Sequence, residues 1–168
     1  FNVIDNPKIA NAFALPGGQV FVYSGLMAHV KNDAQLAAVM GHEVAHVLAR
    51  HGAERMSVAA AAQTGGALLG AALGGSSRAF QEAYGIAANY GIILPYSRSH
   101  ETEADRIGLI LMAKAGYDPG QAADFWTNMA QSATGGQPPP FLSTHPAHAQ
   151  RIRDIRSFLP EARKYSRG

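Results

Sequence analysis

Residues 32–50 read NDAQLAAVMGHEVAHVLAR, and His42-Glu43-Val44-Ala45-His46 at their centre decides the reading of the whole chain. Asn32 and Asp33 supply an N-cap, and apolar residues then recur at helical spacing to about Arg50. On such a helix four residues advance about 400°, so His42 and His46 stand one above the other on one face. Two imidazoles placed this way can reach one ion, and two histidines suit zinc. Glu43 lies beside the first of them and can reach a water on that ion without binding the ion itself. Zinc lowers the pKa of such a water toward about 7, and Glu43 can take its proton as it attacks a carbonyl. In a chain with seven His, chance supplies about 0.01 such motifs. A metal-hydrolase site is therefore a better reading than two ordinary core histidines.

Two His suit the ion but do not complete its coordination, and a third protein ligand is expected. The absence of cysteine restricts the choice to His and carboxylates and excludes a disulfide scaffold. The stretch from Ser97 to Asp105, SRSHETEAD, is the best source. It opens a helix expected to run from about Ser99 to Gly116. Glu101, Ala104, Asp105, Gly108, Leu111, Met112 and Ala115 fall on one mostly apolar stripe of that helix. Carboxylates on a buried stripe need a cation. Glu101 is the expected ligand, whereas Glu103 falls on the other side near Arg106. Asp105, one turn on, can accept the free N–H of a liganding histidine and fix its tautomer. An ion pair of Asp105 with Arg98 or Arg106 is compatible with that role.

His51 sits about 900° beyond His42 if the helix continues, on the opposite side, and reads as a surface or outer-contact residue. His29 and His100 have no ligand-like spacing. Ser143-Thr144-His145-Pro146-Ala147-His148 forms a last polar cluster, followed by Arg151. Pro146 would fix His145 at a helix N-cap facing the cleft. There His145 can stabilise an oxyanion or bind the metal reversibly as a fourth ligand, and the sequence leaves the two open. Glu43 and His145 are the candidate catalytic residues, and Arg151 joins Asp105 behind the ligands. His148 reads as exposed.

Outward from the site, Ala12 to Leu15, Pro16-Gly17-Gly18 and Val20 to Tyr23 read as a hairpin. Phe1 to Ile4 suggests another strand, and Leu26 to Val30 the start of a helix. Gly52 reads as the breaker after the motif helix, and Val58 to Leu73 as a small-residue helix too polar and too Gly-rich to span a membrane. Arg78 to Tyr90 looks helical, with Pro95 as a boundary. Asp118 caps a helix with Pro119 at its first position. Gly135 to Pro140 reads as a loop, and His145-Pro146 begins the last helix, with Ile152, Ile155 and Phe158 or Leu159 facing inward. The class is α+β, mainly helical, with a small N-terminal β-sheet or hairpin and an HExxH active-site helix. Its 168 residues, 47% hydrophobic and 15% charged, fit one domain over residues 1–168. A net charge of only +2 with no dense basic run argues against nucleic acid as a partner. The chain begins at Phe1, so a signal peptide, lipid-attachment segment or membrane anchor is expected upstream.

Four stretches together carry a family likeness. HEVAH, YSRSHETEADRIG with its Glu101-x-x-x-Asp105, LSTHPAHAQRI, and NAFALPGGQVFVYSGL resemble the M48 family of gluzincin metallopeptidases, in the family's order, from about Asn11 to Pro160. AKAGYDP and LPEARKY are most similar to the small soluble or lipid-anchored bacterial members and the mitochondrial Oma-type peptidases. The resemblance implies a zincin-type fold and one Zn2+ held by His42, His46 and Glu101, with Glu43 as general base. It also implies Asp105 behind the ligands and His145 near the metal. It makes Asn11, Ala12, Phe13 and Ala14 the candidate edge strand for an extended substrate. Unfolded or membrane-associated proteins are the implied substrates, and quality control in the bacterial cell envelope, at the periplasmic face, is the implied setting. Without clear spanning helices, nothing points to prenylated substrates. The rival reading is a latent, chaperone-like binding module whose site His145 closes. A third role, at a membrane surface through residues 58–73, is weaker. The sequence carries no signal for oligomeric state.

Overall fold

The computed structural model describes residues 1–72, 96–133 and 138–166. Three short strands open the chain: β1 (Asn2–Ile4), β2 (Ala12–Ala14) and β3 (Val20–Tyr23). Their order is β1-β3-β2, with β1 parallel and β2 antiparallel to β3. The expected hairpin forms around a turn in which Gly18 takes a φ of +88°, a value that favours glycine. Gly18 N–H donates to Leu15 O at 2.9 Å. Phe13 stacks on Phe21 across the pair, with ring centroids 5.0 Å apart, and fixes the register. A 3-10 turn over Ser24–His29, rather than the start of an α-helix, then buries Leu26.

The motif helix is α1 (Asp33–Leu48), and the Asn32 side chain caps it by accepting from Gln35 N–H at 2.9 Å. It ends two residues earlier than its pattern suggests. Arg50 adopts a left-handed φ of +59°, and a second helix, α2 (His51–Ala72), starts at the next residue. Gly52 is therefore not the breaker but lies inside α2. The small-residue stretch through Ala72 belongs to this helix, and among the described residues no helix is long and apolar enough to cross a membrane. The expected helix at 78–90, Pro95, and Gly135 to Gln137 of the expected loop lie outside the described residues.

Helix α3 (Arg98–Lys114) is capped by Ser97 Oγ, which accepts from His100 N–H, and Gly116 follows it at φ +86°. Its buried face is Glu101, Ala104, Asp105, Gly108, Leu109, Met112 and Ala113. Leu111 is only half-buried and Ala115 is exposed, a departure from the expected stripe. The face is turned because α3 packs against two helices, α1 and α6 (Ala149–Arg163). Helix α4 (Gly120–Ser132) starts after Pro119, and Asp118 Oδ1 accepts from Gly120 N–H at 3.0 Å. It buries Phe125, Trp126 and Met129 against α1 and α6.

The chain before α6 differs from expectation. Pro140–Thr144 forms a short helix, α5, and His145 closes its C-terminal end, donating its N–H to Phe141 O at 2.9 Å. His148, not His145, caps α6: its Nδ1 accepts from Arg151 N–H at 3.1 Å. Capping α6 three residues later frees the His145 side chain to turn inward. Ile155 on α6 is buried, with Ile152, Phe158 and Leu159 half-buried beside the core.

Helix α1 is the centre of the packing, in contact with α3, α4 and β2. It meets α3 at Gly41 and Gly108, where the backbones come so close that a Cβ on Gly108 would lie 3.1 Å from His42 N. A Cβ on Gly41 would lie 3.1 Å from Gly108 O. Both obstacles are backbone atoms, so only a shift of the helices relieves them. Gly108→Ala should lower thermal stability by about 1–3 kcal/mol and weaken metal uptake together, because the same shift parts Glu101 from the motif histidines. Chemical denaturation and metal titration of the variant check both effects.

Candidate metal centre

One helical turn brings His42 and His46 side by side on the buried face of α1, with their Nε2 atoms 3.0 Å apart. Glu101 descends from α3 between them. Its Oε2 lies 3.4 Å from His42 Nε2, and its Oε1 lies 3.3 Å from His46 Nε2. His145 enters from the other side, with Nδ1 3.2 Å from His42 Nε2 and 3.0 Å from Glu101 Oε1. All four side chains are buried, and one donor atom from each lies within 4.8 Å of the others. Ligand bonds of about 2.0–2.1 Å in a tetrahedron imply edges of about 3.3–3.4 Å between donors. The closest separations between neighbouring side chains, 3.0–3.4 Å, are near that figure, and one donor atom from each residue lies within 4.8 Å of the others. The four side chains are therefore close enough to converge on one metal ion.

Glu43, also on α1, is buried but aims differently. Its Oε1 lies 3.4 Å from His145 Nε2 and makes no hydrogen bond among the described residues. A buried carboxylate oxygen left without a donor beside a cluster of metal ligands is placed to accept a proton.

Behind His42, Asp105 Oδ1 lies 3.0 Å from Nδ1. Asp105 is held by Arg151, whose Nε and Nη2 each donate at 2.8 Å. Arg151 also places Nη1 2.6 Å from Glu101 Oε2 and its guanidinium 3.6 Å over the Trp126 ring. The partner of Asp105 is thus Arg151 rather than Arg98, which is exposed, or Arg106, which lies over Phe158. The packing of α6 on α3 carries Arg151 into this position.

Behind His46 stands His51, which the sequence read as a surface or outer-contact residue and which takes the second of these places. It is only 1% exposed, and its Nδ1 lies 2.9 Å from His46 Nδ1. The turn at Arg50 is the reason: the angle counted along one continuous helix does not apply to a residue that begins the next one. Glu103, set aside as a ligand, lies with Oε2 3.3 Å from His51 Nε2. Tyr96 stacks on the His46 ring at 3.9 Å and His100 on the His51 ring at 4.3 Å. None of these contacts has a spacing signal, because each joins separate elements.

The charges are tightly interdependent. Burial opposes a proton on His42, but Glu101 and Asp105 outweigh it and raise the pKa to about 9. Burial, reinforced by positive charge on His42 and His145, lowers that of His46 to about 3. Burial also works against ionised Glu101 and Asp105. His145, His42 and Arg151 still hold Glu101 far below the usual carboxylate range, and Arg151 with His42 lowers the pKa of Asp105.

The candidate substrate strand, Asn11 to Ala14, lies at the sheet edge and packs over α1. Tyr23 N–H donates to Asn11 O, and Leu15 N–H to Gln19 O. By alternation, residues 11, 13 and 15 bond to β3, and Ala12 and Ala14 turn their backbone groups outward. The Ala12 N–H is met by Asn11 Oδ1 at 3.0 Å. Below Ala14 lies a cleft of about 270 Å³, lined by His46, Val47, Arg50, Ala53 and Tyr96 among others.

The sequence matches the family described as Peptidase family M48 over residues 1–159. It is 43% identical over 162 residues to the mitochondrial metalloendopeptidase OMA1 of Schizosaccharomyces pombe, covering 96% of this chain and 47% of that protein. It is 40% identical over 163 residues to a putative beta-barrel assembly-enhancing protease of Vibrio cholerae, covering 92% and 33%. With the human mitochondrial metalloendopeptidase OMA1 the identity is 37% over 172 residues, covering 97% and 33%. The chain thus spans between a third and a half of the length of these relatives.

The raised pKa of His42 has a direct consequence for metal uptake. Below about pH 9 the metal-free imidazole carries a proton that an incoming ion must displace. Apparent metal affinity should therefore rise with pH, about tenfold per unit at most, and level off above about pH 9, with about one proton released per ion near neutrality. Chelator competition across this range, with proton release followed in weak buffer, measures both. Uptake independent of pH would contradict the raised pKa.

Proposed function

The chain belongs to peptidase family M48, and we propose that it is a zinc endopeptidase acting on unfolded proteins, with residues 1–168 forming one catalytic domain. The observation that carries this reading is the buried cluster of His42, His46, Glu101 and His145, with the unpartnered Glu43 Oε1 beside it. His42, His46 and Glu101 would hold the ion. Bound there, zinc supplies a Lewis acid for the scissile carbonyl and makes a water acidic enough to lose a proton near neutral pH. Glu43 accepts that proton and later passes it to the departing amine. Asp105, held by Arg151, keeps His42 turned toward the site. Extended polypeptide would lie along β2 and pair with the outward backbone groups of Ala12 and Ala14, which asks for no particular side-chain sequence.

His145 takes the fourth position of the donor cluster, and catalysis needs one position open. With a metal bound, His145 would complete the donor set at rest, and with substrate in that place its imidazole would be near enough to donate to the oxyanion. Relatives named mitochondrial metalloendopeptidase and beta-barrel assembly-enhancing protease support a peptidase, and we propose a role in protein quality control in the bacterial cell envelope. They favour cleavage over the chaperone-like alternative, for which no separate observation speaks.

Glu43→Gln should keep its zinc and lose about 10²–10⁴ of its cleavage rate on an unfolded protein such as reduced, alkylated casein. Proteolysis at the wild-type rate would remove Glu43 from the mechanism. His145→Ala should bind zinc more weakly and cleave about 10²–10³-fold more slowly once loaded, because the oxyanion loses its donor. A rise in the rate of the loaded variant would instead assign His145 to closing the site alone.

A further inference from the structure

We propose that His51 is a positioning residue that fixes the tautomer and ring orientation of His46, with Glu103 anchoring His51 in turn. The inference rests on the reading of His46 as a metal ligand.

The argument is one of proton counting. His46 Nε2 faces the donor cluster, 3.0 Å from His42 Nε2 and 3.3 Å from Glu101 Oε1. To offer a lone pair there, His46 must carry its proton on Nδ1. That atom lies 2.9 Å from His51 Nδ1. Two nitrogens at this distance share one proton, so His51 Nδ1 must be bare. The His51 proton then belongs on Nε2, which points at Glu103 Oε2, 3.3 Å away. Every N–H in the series thereby meets an acceptor. The opposite tautomer of His51 would set two N–H groups face to face and turn a lone pair toward a carboxylate. Once His46 Nε2 is left bare for a metal, the three side chains admit one arrangement of neutral rings, with protons on His46 Nδ1 and His51 Nε2.

The His51 ring is held in place for this task. It is buried, stacks on His100 at 4.3 Å, and starts α2 directly after the left-handed Arg50. The two motif histidines are thus backed in different ways. His42 leans on the ion pair of Asp105 and Arg151, and His46 leans on an imidazole whose far side meets an exposed carboxylate. Partners of this kind, one step removed from the metal, typically contribute about 10–100-fold to metal affinity.

The test uses the full chain and zinc alone as probe, with affinity read by chelator competition. His51→Phe keeps the ring but removes the acceptor, and should bind zinc about 10–100-fold more weakly than wild type. His51→Asn places Oδ1 where Nδ1 stood and should recover most of that loss. Wild-type affinity in His51→Phe, or equal losses in both variants, would overturn the proposal. Nitrogen-15 imidazole spectra of the zinc-loaded wild type give a second readout that needs no variant to fold. They should show His46 protonated at Nδ1 and His51 at Nε2, and a proton on His51 Nδ1 would refute the relay. Failure of the wild type to bind zinc would instead defeat the underlying metal-site reading.

Discussion

The contact between Gly41 and Gly108 governs the geometry of everything around it. Helices normally keep their axes about 8–10 Å apart, as their side chains dictate. Where both residues lack a side chain, backbone meets backbone, with room at neither position for a Cβ without movement. Glu101 lies two turns before Gly108 on α3, and His42 directly follows Gly41 on α1. The close crossing brings a short carboxylate side chain within 3.4 Å of both imidazoles. Bulkier residues at the crossing would leave the same ligands out of reach of one another.

Gathering these groups carries an electrostatic cost that the fold has to offset. Three buried carboxyl groups, on Glu43, Glu101 and Asp105, stand against one buried guanidinium, on Arg151. Formally two negative charges are left over, and burying unpaired charge is expensive. Without an ion, a proton on His42 supplies part of the balance, which is the physical content of its raised pKa. A divalent cation would supply the whole of it. Metal affinity and the protonation of His42 are therefore two expressions of one unmet charge. Arg151 is central because it touches both Glu101 and Asp105 while its guanidinium carbon sits over the Trp126 ring.

Local pattern made part of this site legible and tertiary structure hid the rest. The i, i+4 spacing put His42 and His46 on one face, and a buried stripe separated Glu101 from Glu103, because both arguments concern a single helix. The mainly helical class with an N-terminal hairpin was equally readable, from turn residues and periodicity. His51 left two readings, surface or outer contact, because a non-glycine residue, Arg50, adopts a positive φ that no pattern announces. The stripe on α3 was partly misdrawn because α3 serves two neighbours, and the sequence names neither. His145 was expected at the start of α6, but His148 provides the cap, and both are histidines before a helix. The choice between them rests on which one the core has room to accept.

The edge of β2 has a bearing on how the protein behaves among copies of itself. An unpaired strand is an invitation to any other extended chain, including another copy's edge. Here the invitation is brief: the strand is three residues long, and one of its outward N–H groups is already engaged by Asn11 Oδ1. Too few bonds remain for a second edge to hold on and begin a growing stack of copies. So short an edge offers few backbone bonds to any extended chain, and its brevity disfavours the edge-to-edge pairing that longer strands invite.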